Sequence, residues 1–210
     1  MSTIRTITGR AFNVNNLMPN AIDIRDIAHA LSFKCRFGGH LPYFYSVAQH
    51  CVVMSYLVPK EYALYALLHD SMEAYLEDIP TPIKKLLPDY MALEKKLQTY
   101  IMAHFKLPVE MPSKVKEADT KMLLTEKRDI MKPELLWQDN KLWGAEGKEA
   151  YTNITLKAWT SKEAKRRFLR RIREINGTYI PTPKDKRKQF WIKIWGKIRG
   201  WTPEMILINS

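Results

Sequence analysis

Hydrophobic positions recur along most of this chain with helical rather than strand spacing. Ile24, Ile27, Ala28 and Leu31 follow an i, i+3, i+4, i+7 pattern, which predicts a helix from Ile22 to about Lys34, with Asp23 and Asp26 at its positive N-terminal end. The segment CRFGGHLPYFYS breaks it with Gly38, Gly39 and Pro42. Ser46 then caps a second helix, which carries His50 and is stopped by Pro59. In a third helix, beginning near Lys60, the apolar residues Ala63, Leu64, Ala66, Leu67 and Leu68 are too crowded for a one-sided stripe, which predicts a central position. An open loop with Pro80, Pro82 and Pro88 leads to a fourth helix, from about Asp89 to Phe105, carrying Met91, Leu93, Leu97, Ile101 and Met102. A fifth starts after Pro112 and turns Val115, Ala118, Met122 and Leu123 inward. Residues after Met131 read as loop until Thr160 or Ser161 caps the helical run TSKEAKRRFLRRIREI, which Gly177 ends.

The two ends of the chain depart from this pattern. Residues 1–21, with Gly9, Asn13, Asn15, Asn16 and Pro19, read as an extended arm with a short β-hairpin. Beyond a linker with Pro181 and Pro183, the stretch from Lys186 to Arg199 places Phe190, Trp191, Ile194, Trp195 and Ile198 on one helical face, with Lys186, Arg187, Lys193 and Lys197 elsewhere. The expected architecture is therefore all-α: an arm over 1–21, a helical domain over 22–176 and a basic amphipathic C-terminal tail over 177–210. No internal repeat is visible.

Composition sharpens this picture mainly through the placement of charge. The chain is formally +12, yet residues 161–210 hold 14 Lys and Arg against 4 Asp and Glu, leaving the first 160 residues at net +2. The pI is thus a property of the C-terminal part and does not argue that the helical domain binds nucleic acid. No signal-peptide pattern and no apolar run of the roughly 20 residues needed to cross a bilayer occur, so a cytoplasmic location is expected. Cys35 and Cys51 lack CxxC spacing and read as reduced, buried, small apolar residues.

The candidate chemistry lies between Ser46 and Asp78 and returns at Asp119. The adjacent pair His69 and Asp70, in the apolar run LLHD, is costly to bury unless paired or coordinating. His50, His69, Asp70 and Asp119 together supply two nitrogens and two oxygens, an octahedral-leaning set with positions left for water and a phosphate oxygen. On a continuous helix Glu73 lies one turn after Asp70, where it stands beside the ion as a general acid or base.

These residues carry a resemblance. His50, His69-Asp70 and Asp119 in an all-helical chain look like the H...HD...D pattern of the HD-domain metal-dependent phosphohydrolases. Arg36 in CRFGGH, with Glu73 and Asp78 in HDSMEAYLEDIPTPIK, falls where bacterial 5'-deoxynucleotidases and similar phage dATP triphosphohydrolases carry an arginine, a glutamate and an aspartate. The resemblance covers about residues 22 to 176. It implies an HD-domain helical bundle with a divalent ion (Mn, Co or Zn, with Mg possible alongside substrate phosphates) held by His50, His69, Asp70 and Asp119. It further implies that Glu73 orients or deprotonates a water, that Arg36 pairs with phosphate oxygens and that Asp78 accepts from a sugar 3'-hydroxyl. Lys84 is a second candidate phosphate contact and His40 a candidate lining residue. Asp78 is equally placed to cap a turn before Pro80, and His29 and His104 read as structural or surface residues. The residue three after Asp70 is Glu73, not the lysine of cyclic-nucleotide phosphodiesterase relatives, which favours monoester or nucleotide hydrolysis.

The expected activity is hydrolysis of (deoxy)nucleotide phosphates, first of a dNTP such as dATP with release of triphosphate. The alternative is a 5'-deoxynucleotidase acting on dNMPs. A reading of a different class is an inert HD scaffold that binds nucleic acid or a protein partner. Expected partners are a nucleotide substrate, a second copy of the chain and, through the tail, nucleic acid or an anionic membrane.

Overall fold

Thr3–Arg5 (β1) and Ala11–Asn13 (β2) open the chain as an antiparallel hairpin, with Ile4 opposite Phe12. The structure, a computed structural model, describes residues 3–18, 21–131 and 144–178. The expected tail helix over 186–199, and with it the expected tail contacts, lies outside the described residues. The hairpin is tied to the rest of the fold at several points, among them an ion pair of Arg10 with Asp23, the cap of the first helix, at 3.0 Å. Asp26 accepts from the Thr8 amide (2.9 Å) and hydroxyl (2.8 Å), and Phe12 is fully buried against Tyr75, ring centroids 4.2 Å apart.

Seven helices follow among the described residues: α1 (Ile24–Phe33), α2 (Val47–Leu57), α3 (Ala63–Leu68), α4 (Thr81–Lys84), α5 (Pro88–His104), α6 (Ser113–Asp129) and α7 (Ser161–Ile175). Their starts follow the sequence closely because the caps are local. Asp23 accepts from the Arg25 amide at α1, Ser46 from the Gln49 amide at α2 and Thr160 from the Glu163 amide at α7. The fold is mostly helical, as expected of an all-α chain.

The centre is shared by α2 and α3, the latter buried at five of its six positions as its crowded apolar run predicts. Every residue of α2 from Val47 to Ser55 is buried, because α1, α3, α6 and α7 pack around it. A helix enclosed on all sides has no polar face, so its sequence shows little amphipathic periodicity. Its polar residues must therefore find partners inside. Gln49 accepts from the Trp159 amide and donates to the Lys157 carbonyl, both at 2.8 Å, which draws the segment before α7 onto the core.

Four local expectations change. The third helix does not continue through Asp70: α3 ends at Leu68, and a 3-10 turn takes over from Ser71 to Ala74. The proline-held loop contains a short helix, α4, started by Pro82 in its first turn. On α6, Leu124 is buried and Leu123 only half-buried, because the inward face drifts around the helix towards Glu126. Cys35 is half-buried, sitting at a bridge to Ser46, whereas Cys51 is a buried free thiol as expected. Among the described residues, no helix is long and apolar enough to cross a membrane.

Candidate metal centre

Three elements deliver the four proposed ligands. His50 sits in the first turns of α2, which is anchored by the Ser46 cap and by backbone pairing of Arg36 with Tyr45 (2.9 Å) and of Val47 with Lys34 (3.0 Å). Asp119 projects from the middle of α6. His69 and Asp70 stand where α3 stops. Adjacent residues on a straight α-helix diverge by about 100° and cannot easily address one point. Here Asp70 adopts φ −98° and ψ 15°, a sparsely populated bridge conformation, and the chain tightens so that the Glu73 amide bonds the Asp70 carbonyl at 3.0 Å. The break lets His69 Nε2 and Asp70 Oδ1 approach to 3.2 Å. It also retains Glu73 beside Asp70, though on a 3-10 turn instead of the continuous helix expected from the sequence.

The donor atoms converge. His50 Nε2 lies 3.4 Å from His69 Nε2, 3.2 Å from Asp119 Oδ1 and 3.9 Å from Asp70 Oδ2, while His69 Nε2 lies 3.9 Å from Asp119 Oδ1. Two ligand atoms held at about 2.1 Å from one ion are separated by about 3.0 Å at a right angle and about 3.4 Å at the tetrahedral angle. The spacing therefore fits a single cation. The protonation pattern fits as well. His50 Nδ1 is 2.7 Å from Glu126 Oε1, and His69 Nδ1 is 2.8 Å from the Ala66 carbonyl. Both partners accept only, so each ring carries a proton on Nδ1 and turns Nε2 into the cluster. There each Nε2 faces a carboxylate at 3.2 Å, Asp119 for His50 and Asp70 for His69, a place where either a proton or a divalent ion supplies the positive charge. Asp119, with 40% of its side chain exposed, lies on the open side, where water or substrate can enter.

The electrostatics point the same way. Burial alone would lower both imidazoles, and Arg36 adds to this at His50. Glu126 and Asp119 at His50, and Asp70 at His69, reverse the balance and raise both pKa values, so the pocket favours positive charge. Burial pushes the carboxylates of Asp70 and Asp119 up, but the two histidines bring both below their ordinary values. A rival set, Cys51, His69 and Asp70, also lies within ligand distance. Burial pushes the Cys51 thiol up to about 11, which leaves it protonated, and His69 Nδ1 already donates to Ala66, so the set containing Asp119 is the better site.

Glu126, absent from the expected site, proves central to it. It is completely buried, and its second oxygen accepts from Arg36 Nε and Nη2, both at 3.1 Å. Burial works against its charge, but Arg36 and His50 hold its pKa below the ordinary value. The signal was present: Glu126 follows Met122 by one turn and Asp119 by two, on the face that α6 buries. Arg36 remains charged despite its burial because Glu126, Asp70, Asp119 and Asp78 surround it, and its Nη1 lies 3.7 Å from Asp70 Oδ2. It is thus committed to protein carboxylates on two sides.

Glu73 and Asp78 also lie close enough to feel the centre. Glu73 is buried, its Oε2 has no hydrogen-bond partner, and burial together with Asp70 and Asp78 raises its pKa well above the ordinary carboxylate value. Burial and Asp70 also raise half-buried Asp78, against the pull of Arg36 and Lys84. The Lys84 amine pairs with Glu94 of α5 and interacts electrostatically with Glu73. His40 is exposed, its ring close to Pro80 across Gly38, and no hydrogen bond or ion pair ties it to the four ligands. Of the neighbouring histidines, His29 accepts from Lys165 at 3.2 Å between α1 and α7, and His104 packs edge-on against Phe105.

No family model matches this chain. It is 51% identical to the uncharacterized protein YfdR of Escherichia coli K12 over 130 residues that make up 62% of this chain and 73% of YfdR. It is 34% identical over 124 residues, 54% of this chain and 63% of the other, to a Rhodobacter capsulatus protein also named as uncharacterized. The chain belongs to the family of YfdR.

Proposed function

We propose that this member of the YfdR family is a metal-dependent phosphohydrolase of the HD-domain type that acts on deoxynucleotide phosphates. A dNTP triphosphohydrolase is the first reading and a dNMP 5'-nucleotidase the second. The observation that carries the proposal is the convergence of the Nε2 atoms of His50 and His69 with Asp119 Oδ1 within ligand distance of one another, with Asp70 flanking both histidines. A divalent ion bound there supplies Lewis-acid polarisation of a phosphate oxygen and acidifies a water.

The remaining groups divide the other tasks. Glu73 is buried with one oxygen unpartnered, and its raised pKa favours the protonated form, which suits delivery of a proton to a leaving oxygen, with water restoring it. Arg36, permanently charged and held in plane by Glu126, presents Nη1 beside Asp70, where a phosphate oxygen can share it. Asp78 suits a hydroxyl on the sugar. Lys84 is shared with Glu94, so it reaches a second phosphate only by exchanging that partner. The open side at Asp119 admits a ligand without unfolding the core.

The test is a screen of the four dNTPs and four dNMPs, assaying phosphate, pyrophosphate and triphosphate, before and after chelation and after addition of Mn, Co or Zn. Inorganic triphosphate from dATP supports the first reading, and phosphate from dNMPs alone moves the assignment to the nucleotidase. Turnover that ignores the chelator, with no bound metal, overturns the proposal. Absence of turnover together with tight, salt-dependent nucleic-acid binding supports the inert scaffold instead.

A further inference from the structure

We propose that Glu126 is the positioning residue of the centre: a single buried carboxylate that sets the tautomer of His50 with one oxygen and holds Arg36 with the other. This inference rests on the metal-centre reading above and adds a residue to it. Glu126 is 0% exposed and lies two turns beyond Asp119 on α6, so it is held on the same rigid element as one proposed ligand while it grips another on α2. Oε1 is 2.7 Å from His50 Nδ1, and Oε2 is 3.1 Å from both Nε and Nη2 of Arg36.

The two contacts ask for the same chemistry. His50 Nδ1–H and the Arg36 fork are both donors, so the group between them must accept at both ends. Glutamine has the shape of glutamate but turns an amide N–H towards one of those donors, which leaves a buried donor facing another. Glutamate alone serves both, and the Arg36 guanidinium, with two nitrogens 3.1 Å from Oε2, supplies the opposite charge a buried carboxylate needs. The Tyr45 hydroxyl also faces Glu126, though without reaching hydrogen-bond geometry, so the carboxylate is walled in by polar groups on a third side. With the Nδ1 proton fixed, His50 can address the ion only through Nε2, the atom that lies 3.4 Å from His69 Nε2.

The test uses the full chain. Metal affinity is measured for the unmodified protein and for Glu126→Gln by titration with Zn and Mn, and the ring nitrogens of His50 are observed by 15N NMR in the zinc-loaded form. The unmodified protein is expected to show a protonated, carboxylate-bonded Nδ1 and a metal-bound Nε2. Glu126→Gln is expected to bind metal about tenfold to hundredfold more weakly and to shift the Nδ1–H resonance of His50. The NMR measurement on the unmodified protein stands by itself if Glu126→Gln does not fold: a metal-bound Nδ1 overturns the inference. So does a folded Glu126→Gln with unchanged affinity and an unmoved His50 resonance. An unmodified protein that binds neither metal would defeat the metal-centre reading instead, which keeps the two failures distinct.

Discussion

The centre between α2, α3 and α6 and the basic helix α7 are both rich in charge, yet they use it in opposite ways. On α7 the charges close among themselves and their neighbours. Glu163 takes Arg166 and Arg167, Glu174 takes Arg170, and Arg171 donates to the Ser55 hydroxyl (2.9 Å) and carbonyl (2.8 Å) while lying 3.7 Å over the ring of Tyr56. Arg167 lies 4.2 Å over the ring of Trp159. At the centre, two imidazole nitrogens and two carboxylates crowd together around a place that calls for positive charge. The contrast teaches that counting charged residues distinguishes neither role. What matters is whether each charge finds its complement within the fold, which makes it cement, or points at an external cation, which makes it a site. Arg167, Arg170 and Arg171 are in this light packing groups, while Lys162 and Arg173 remain exposed on the outer face of α7.

The largest effect that sharpens this contrast is expected at Asp70. Asp70→Ala should weaken metal binding by more than about a hundredfold and abolish turnover, because it removes an acceptor from the cluster itself. Glu73→Ala should leave metal affinity nearly intact and lower turnover by roughly 10² to 10⁴. Equal loss of metal in the two variants, read by titration and single-turnover assay, would put Glu73 among the ligands. A change in the cement should do the reverse. Arg171→Ala removes two hydrogen bonds from a charged donor into α2 and should cost about 2 to 3 kcal/mol in urea denaturation, with metal affinity unchanged. If metal affinity fell with stability, the two regions would not be separable.

The smallest effect concerns pH. Arg166 and Arg167 lower the Glu163 carboxyl from its ordinary value to about 2. A depressed folded-state pKa contributes stability that is present above the unfolded value, near 4.5, and is lost as pH falls through about 2. The side chain is 29% exposed, so solvent screening still limits the term, and Glu163→Gln should cost only about 0.5 kcal/mol at pH 7. Thermal melts of both proteins from pH 7 to pH 2 should converge at the acid end; a constant gap across that range would assign the effect to the lost side-chain geometry.

Much of the helical frame was legible because its signals are local. The caps at Asp23, Ser46 and Thr160 act over three residues, and the stripe on α1 follows helical periodicity, so each could be read without knowing the fold. The centrality of α2 was less so: enclosure by four helices removes the polar face that a periodicity reading looks for. The four ligand types stood out as costly residues in apolar runs, and the structure brings His50, His69, Asp70 and Asp119 together. Glu126 did not stand out, since a glutamate in the run LLTEKRD resembles any solvated helical charge until the drift of the buried face is known.

The sequence by itself thus determined where helices begin, which residue types must be paired or coordinated, and how the excess positive charge is distributed. Only the tertiary structure decided that α3 stops at Leu68 so that His69 and Asp70 address one point, and that Arg36 turns towards Glu126. It alone also decided which nitrogen of each histidine faces the cluster. The physical reason is range. Capping and periodicity act within a turn or two of chain, whereas a tautomer or a buried ion pair depends on partners as far apart as Arg36 and Glu126, whose approach is fixed only when the helices pack.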